Sequence, residues 1–241
     1  MDKIFESKFM KSLQNFGDKI GSNKAINSIQ GALMGSMGII MVGAIFQIIA
    51  TLLTSFKILS AESSLYSTIY MPYNLTMNCL SLWFVFQLGY QYSKQLRLKP
   101  MTGALNATIC FLMVATTGAR TASMETLTTS FLGSTGLFVA IIVGLVTVRI
   151  YNFCVVKNII IKMPDVVPPF LADSFSSIIP LLFSVVTWLL VDSGVIFLTN
   201  LAFGTAMNLP TLITAIFSII LSPFTGFWGM LALGLIAGMM W

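Results

Sequence analysis

No histidine occurs in this 241-residue chain, so it holds no imidazole base, no histidine-ligated metal and no phosphohistidine. Charge is nearly as scarce. Charged residues make up 9% of the sequence, against about 25% in ordinary soluble domains. That shortage, with 56% hydrophobic residues and a mean hydropathy of +0.90, excludes a water-soluble globular protein and a nucleic-acid binder. There are only three cysteines: Cys79, Cys110 and Cys154. They lie in or beside apolar runs without paired spacing, so they read as small membrane-buried residues, neither a disulfide framework nor a metal site. The chain also lacks a glycine-rich phosphate loop with a following lysine, a Gly-x-Ser-x-Gly elbow and paired carboxylates within one apolar run. No catalytic residue, cofactor or metal is assigned, and whether the chain belongs to an enzyme is left open.

What is present is a succession of apolar runs. Each approaches the roughly 20 residues that a bilayer core requires. They cover about Ser28–Thr54, Asn74–Tyr92, Met101–Thr117, Phe131–Phe153 and Ser176–Asn200, and then Leu209–Trp241 with a break at Ser222-Pro223. The expected fold is all-α: a polytopic membrane bundle of about six spans. Before it, Ile4, Phe5, Phe9, Leu13, Phe16 and Ile20 recur at helical spacing among Lys3, Lys8, Lys11 and Lys19. That pattern is an amphipathic helix, either lying in the headgroup region or packed on the protein. The domain organisation is 1–27 as this interfacial segment, 28–200 as a five-helix membrane domain and 201–241 as the start of another. The stretch 55–73 reads as a loop.

Small residues repeat at intervals of four: Gly31 and Gly35 with Gly43 on the same face, then Gly136, Ala140 and Gly144. Such stripes let helix backbones approach closely in lipid, either between protomers or within one. Gln47, in an otherwise apolar run, is expected to make an interhelical hydrogen bond. Asp192 is the only acid well inside a span, which makes it a default functional candidate; the alternative is a local break or helix pairing. Trp83, Trp188 and Trp228 suit an interfacial belt, with stacking on sugar rings as the alternative. Arg120 and Glu125 can pair across an external loop, where such a pair contributes little.

With the amino end in the cytoplasm, 11 of the 13 basic residues face inward, and only Lys57 and Arg120 fall outside. The positive-inside rule selects that orientation. It also places on the inner side the most unusual stretch of the chain, IKMPDVVPPFLADSFSSIIP over 161–180. Pro164, Pro168 and Pro169 fix φ and remove donors, which excludes a helix running through them. Asp173 or Ser174 is then expected to cap a helix beginning near Phe175.

The wording of that connector, with Lys162, Pro164, Asp165, Pro168, Pro169, Ser174 and Phe175, resembles a motif in the membrane (IIC) component of lactose/cellobiose-family phosphotransferase-system sugar permeases. GALMGSMGIIMVGAIFQII and LGSTGLFVAIIVGLVTVRIYNF are similar to other helices of that family. The resemblance implies a permease for a β-linked disaccharide in a bacterial plasma membrane. It implies partnership with cytoplasmic IIB and IIA subunits that phosphorylate the sugar, and a homodimer built by the first half. The family's Gly-Ile-His-Gly and Asn-Glu-Pro sugar-site elements do not occur in these 241 residues, so no family site residue is carried over and Asp192 stays a weak candidate for sugar. The expectation is a front portion that does not transport alone; the competing class is a helical scaffold that only dimerises. The connector either docks a partner subunit or braces two helices, and its three prolines favour bracing.

Overall fold

The computed structural model describes residues 21–60, 62–116, 129–161, 164 and 168–225, with the backbone alone at 169–174, 203, 220–221 and 223–225. The amphipathic segment 1–20, the Arg120–Glu125 pair, Lys162, Asp165 and Trp228 lie outside the described residues.

Helix α1 covers Lys24–Ser55, 32 residues and about 48 Å long. Asn23 caps it, its side-chain oxygen accepting from the Ala25 amide at 2.9 Å. The stretch expected to be loop contains a second helix, α2, over Ser64–Thr76. Ser63 caps it through the Tyr66 amide at 3.2 Å; the Tyr66 and Tyr70 rings stack along it, and Tyr73 packs tilted against Tyr70. Helix α3 follows over Leu80–Gln95. The apolar run read as one span is therefore interrupted at 77–79. Trp83 braces the interruption, donating its indole N–H to the Leu75 carbonyl at 2.9 Å.

Helices α2 and α3 together run antiparallel along α1. Gly43 meets Thr76, Gly35 meets Gln87 and Gly31 meets Gln91, so the first glycine stripe is filled from within the chain. Near its end Gln95, in the amide orientation that matches donor to acceptor, donates to the Lys24 carbonyl at 2.8 Å and accepts from the Ser28 hydroxyl at 3.2 Å. Three glutamines spaced at four residues thus line this helix pair. Gln47 is not among them: its side chain is exposed. It sits on the outward face of α1, where no helix among the described residues offers a partner.

Helix α4 (Pro100–Thr116) returns beside α3. After the 3₁₀ turn Ser134–Gly136, helix α5 covers Leu137–Val156, and Gly144 packs on Val85 and Leu88 of α3. The core lies among α3, α4 and α5, built from Phe84, Val85, Leu88, Phe111, Val114, Val139 and Val143.

Helix α6 covers Pro169–Phe203, with Pro168 as its cap residue and Gly204 in left-handed geometry (φ 66°) ending it. The helix begins before Asp173 and Ser174, so neither is its cap. Pro169 is compatible with the first helical position because its fixed φ suits the helix and its missing N–H would have no partner there. Helix α7 covers Leu209–Thr225 and continues through Ser222-Pro223. Among the described residues three helical stretches are long and apolar enough to cross a bilayer: Lys24–Ser55, Ser134–Val156 and Phe175–Ala202. The outward faces of α1 and α6 carry Leu33, Met37, Met41, Ile45, Leu182, Leu190, Phe197 and Leu201, all exposed. Such an apolar girdle suits lipid, not water.

Candidate functional site

The antiparallel register brings exposed Lys24, Lys94, Arg97, Lys99, Arg149 and Lys157 towards one end of the bundle. At the other, the loop between α1 and α2 holds Lys57 and Glu62. At this basic end α5 closes with Asn158 in left-handed geometry, and the Ile159 amide donates back to the Cys154 carbonyl at 2.8 Å. The connector then leads to α6. Pro164 and Pro168 are exposed, Pro168 is extended (φ −54°, ψ 139°), and Phe175 projects outward at 40% exposure. The side chains of Pro169 and Ser174 lie outside the described set. Beside the end of α5 a cavity of about 170 Å³ is lined by Arg97, Lys99, Tyr151, Val155, Ile160 and Ser176. It is bordered by the α3–α4 turn, the end of α5 with Ile160, and α6, and it presents two cations, a phenol and a serine hydroxyl.

Asp192 is 1% exposed near the opposite end of α6. One carboxylate oxygen accepts from the Leu209 amide at 3.0 Å, the first residue of α7. Seven residues on, the Thr199 hydroxyl accepts from the Met207 amide at 3.1 Å. Together they fasten the reversal between α6 and α7, and the carboxylate lies at a helix amino terminus, where negative charge is favoured. The Asp192→Leu variant is expected to lose about 1–3 kcal/mol of stability by stripping that buried amide of its acceptor. Asp192→Asn, which keeps an acceptor oxygen, should lose less than half as much. Thermal unfolding in detergent checks the order. An equal loss in both variants would mean that the Leu209 amide is not what Asp192 serves.

Two further polar side chains, those of Trp188 and Gln87, are engaged between helices. Trp188 is 4% exposed and donates to the Thr147 hydroxyl at 2.9 Å between α6 and α5. It is an interhelical contact, not a belt residue. Asn106 is buried in α4 with its amide nitrogen unpaired, Gln87 faces α1 and Asn152 is half-buried. Cys110 and Cys154 are buried, and Cys79 is half-buried. Towards the opposite end a polar cavity of about 330 Å³ opens at the α2–α3 interruption, lined by Tyr73, Asn78, Thr129, Ser130, Ser134 and Thr135. Sequence reasoning missed it because it depends on the interruption, which apolarity hides. None of Gln47, Gln87, Asn106, Asn152 or Asp192 lines either cavity. No metal-binding cluster of His, Cys, Asp or Glu forms among the described residues.

Comparison with known proteins supplies what the side chains do not. Residues 30–241 match the family "Phosphotransferase system, EIIC". The oligo-beta-mannoside-specific EIIC component of Bacillus subtilis (strain 168) is 28% identical over 195 residues, 78% of this chain and 44% of that protein. The lactose-specific EIICB component of Lactococcus lactis subsp. lactis is 28% identical over 230 residues, 90% of this chain and 38% of that one. The chain thus spans less than half the length of these curated relatives. In three dimensions it is similar to the crystal structure of ChbC, the IIC component of the N,N'-diacetylchitobiose-specific system. The TM-score is 0.76 at 23% identity, covering 91% of this chain and 52% of that one.

Proposed function

The chain belongs to the phosphotransferase system EIIC family, and from that premise we propose that it forms part of a permease carrying a β-linked disaccharide across a bacterial plasma membrane for phosphorylation by cytoplasmic IIB and IIA subunits. The family match over residues 30–241 carries the reading. The sugars in the relatives' names support the substrate class, and the fusion named EIICB supports IIB as the partner.

The basic end faces the cytoplasm in this reading, since cationic residues near helix ends are retained on that side. The amino terminus and the connector carrying Pro164, Pro168 and Phe175 then lie where IIB works. In a background with Cys79, Cys110 and Cys154 replaced, Lys157→Cys should resist a membrane-impermeant maleimide in intact cells, and Ser55→Cys should react. The reverse pattern would invert the topology.

Within this arrangement residues 28–200 are the framework and 201–241 begin the part that handles sugar. Asp192, Trp188 and Gln95 fasten helices to one another, which supports a framework role. A homodimer formed by this framework would use the outward face of α1 or α6, because Gly31, Gly35, Gly43 and Gly144 already pack inside the protomer. Membranes carrying the 241-residue chain, supplied with phosphorylated IIB and a radiolabelled β-disaccharide, should show no phosphorylation above membranes lacking it. Sugar phosphate that follows this chain would overturn the division and give it transport of its own.

A further inference from the structure

We propose that the groove between α1, α3 and α5 at the basic end is a binding site for one anionic phospholipid, its phosphate held by Arg149. This goes beyond sugar transport and rests only on the chain's membrane location.

The groove encloses about 420 Å³ and is lined by Ala25, Tyr92, Leu145, Val146, Arg149, Ile150 and Phe153. Ala25 is in the first turn of α1 and Tyr92 in the last turn of α3. The groove therefore sits where helices meet the headgroup layer. Its walls are otherwise aliphatic and aromatic, with Val146 and Phe153 partly exposed at 40% and 48%. A water-filled pocket for a sugar or a free anion would line itself with hydroxyls and amides. A hydrocarbon chain fits these walls.

Arg149 gives the groove its polarity. Tyr92, buried at 1% exposure, accepts a hydrogen bond from the guanidinium Nε. Its ring lies 5.7 Å from the guanidinium carbon. These contacts orient the fork and occupy one of its five donors, leaving the terminal nitrogens for an anion. No carboxylate pairs with Arg149 among the described residues; Glu62 lies in the α1–α2 loop towards the other end, and Asp192 is committed to α7. A cation at the edge of hydrocarbon is costly unless an anion meets it. Basic pockets between membrane helices collect acidic headgroups for that reason. Exposed Lys24, next to Ala25, adds a second positive charge.

Native mass spectrometry of the detergent-purified chain, titrated with phosphatidylglycerol or phosphatidylcholine, tests this. The expected result is one phosphatidylglycerol bound in preference to phosphatidylcholine, not displaced by millimolar inorganic phosphate. Arg149→Gln should weaken that binding at least about fivefold, while Lys157→Gln, the same charge change outside the groove, should not. Should Arg149→Gln fail to accumulate, Phe153→Trp, which fills the groove from its exposed rim and leaves the charge, must lower binding too. Equal binding by the groove variants, an equal loss in Lys157→Gln, or displacement by inorganic phosphate overturns the proposal.

Discussion

Replacing Gly89 with leucine is expected to leave almost no folded protein in the membrane. A Cβ at this position would stand 2.9 Å from the Ala104 Cα, the Ala107 Cβ and the Gly103 carbonyl oxygen. Two of those three atoms are backbone, so no rotamer change relieves the clash, and α3 and α4 must separate. Both helices contribute to the central core, where Phe84, Leu88, Phe111 and Val114 are at most 1% exposed. Helices in lipid gain little from hydrophobic burial and depend on close van der Waals contact, which separation removes. The cost is set at about 3 kcal/mol or more, the upper part of the range for overpacked cores. Gly38→Leu is the matched control, because a Cβ there meets nothing within 4 Å. Fluorescence-detected size exclusion of tagged variants should give a normal peak for Gly38→Leu and aggregate for Gly89→Leu. A normal peak for both would mean that the α3–α4 contact is not what holds the bundle.

Gly89 also marks the limit of what the sequence discloses. The long apolar helices, the membrane class and the family wording of the connector were all legible, because hydropathy and motif spacing are local. Glycine stripes announced close packing but not its partner. Gly31 and Gly35 are covered by Gln91 and Gln87, about sixty and fifty residues away along the chain, and no periodicity encodes that pairing. Helix α2 was hidden for another reason. SLYSTIYMPYNLT is polar, aromatic and interrupted by Pro72, so neither apolar period nor propensity marks it. Its cap Ser63 and the tyrosines at 66, 70 and 73 were the available signal. The interruption at 77–79 was hidden by the apolar run that follows it, Leu80–Leu88, which drew Asn74–Thr76 into the same span. Asp192 was identified as exceptional, yet the amide it accepts from lies 17 residues further on, across a chain reversal that the sequence does not announce.

One regularity connects these cases: polar groups inside this bundle serve helices first. Ser36, Thr108 and Ser184 turn their hydroxyls to carbonyls four residues back, at 2.9, 2.8 and 2.8 Å. That local bond needs no partner from another helix. Asp192, Trp188 and Gln95 instead bond across separate segments. Only the second kind can fix which helices are neighbours, so the second kind should be costly to remove.

Trp188 gives that distinction its largest expected effect. Trp188→Ala should cost about 3–5 kcal/mol, the range for deleting a buried large aromatic, since the ring is 4% exposed between α6 and α5. The polar component separates from the packing component through Thr147. Thr147→Val leaves the indole N–H without its acceptor in an apolar interface and should cost about 1–2 kcal/mol. Trp188→Phe leaves the Thr147 hydroxyl, which can turn to a carbonyl of its own helix as Thr108 does, so its penalty is mainly lost volume. The double variant Thr147→Val/Trp188→Phe has no stranded donor. It should therefore be no less stable than Thr147→Val alone, although it carries two substitutions. Denaturation in mixed detergent, followed by near-ultraviolet circular dichroism for the variants that keep Trp188 and by size exclusion for all, measures the cycle. Strict additivity of the two single changes would mean that the 2.9 Å contact contributes nothing specific, and that α6 is held to α5 by shape alone.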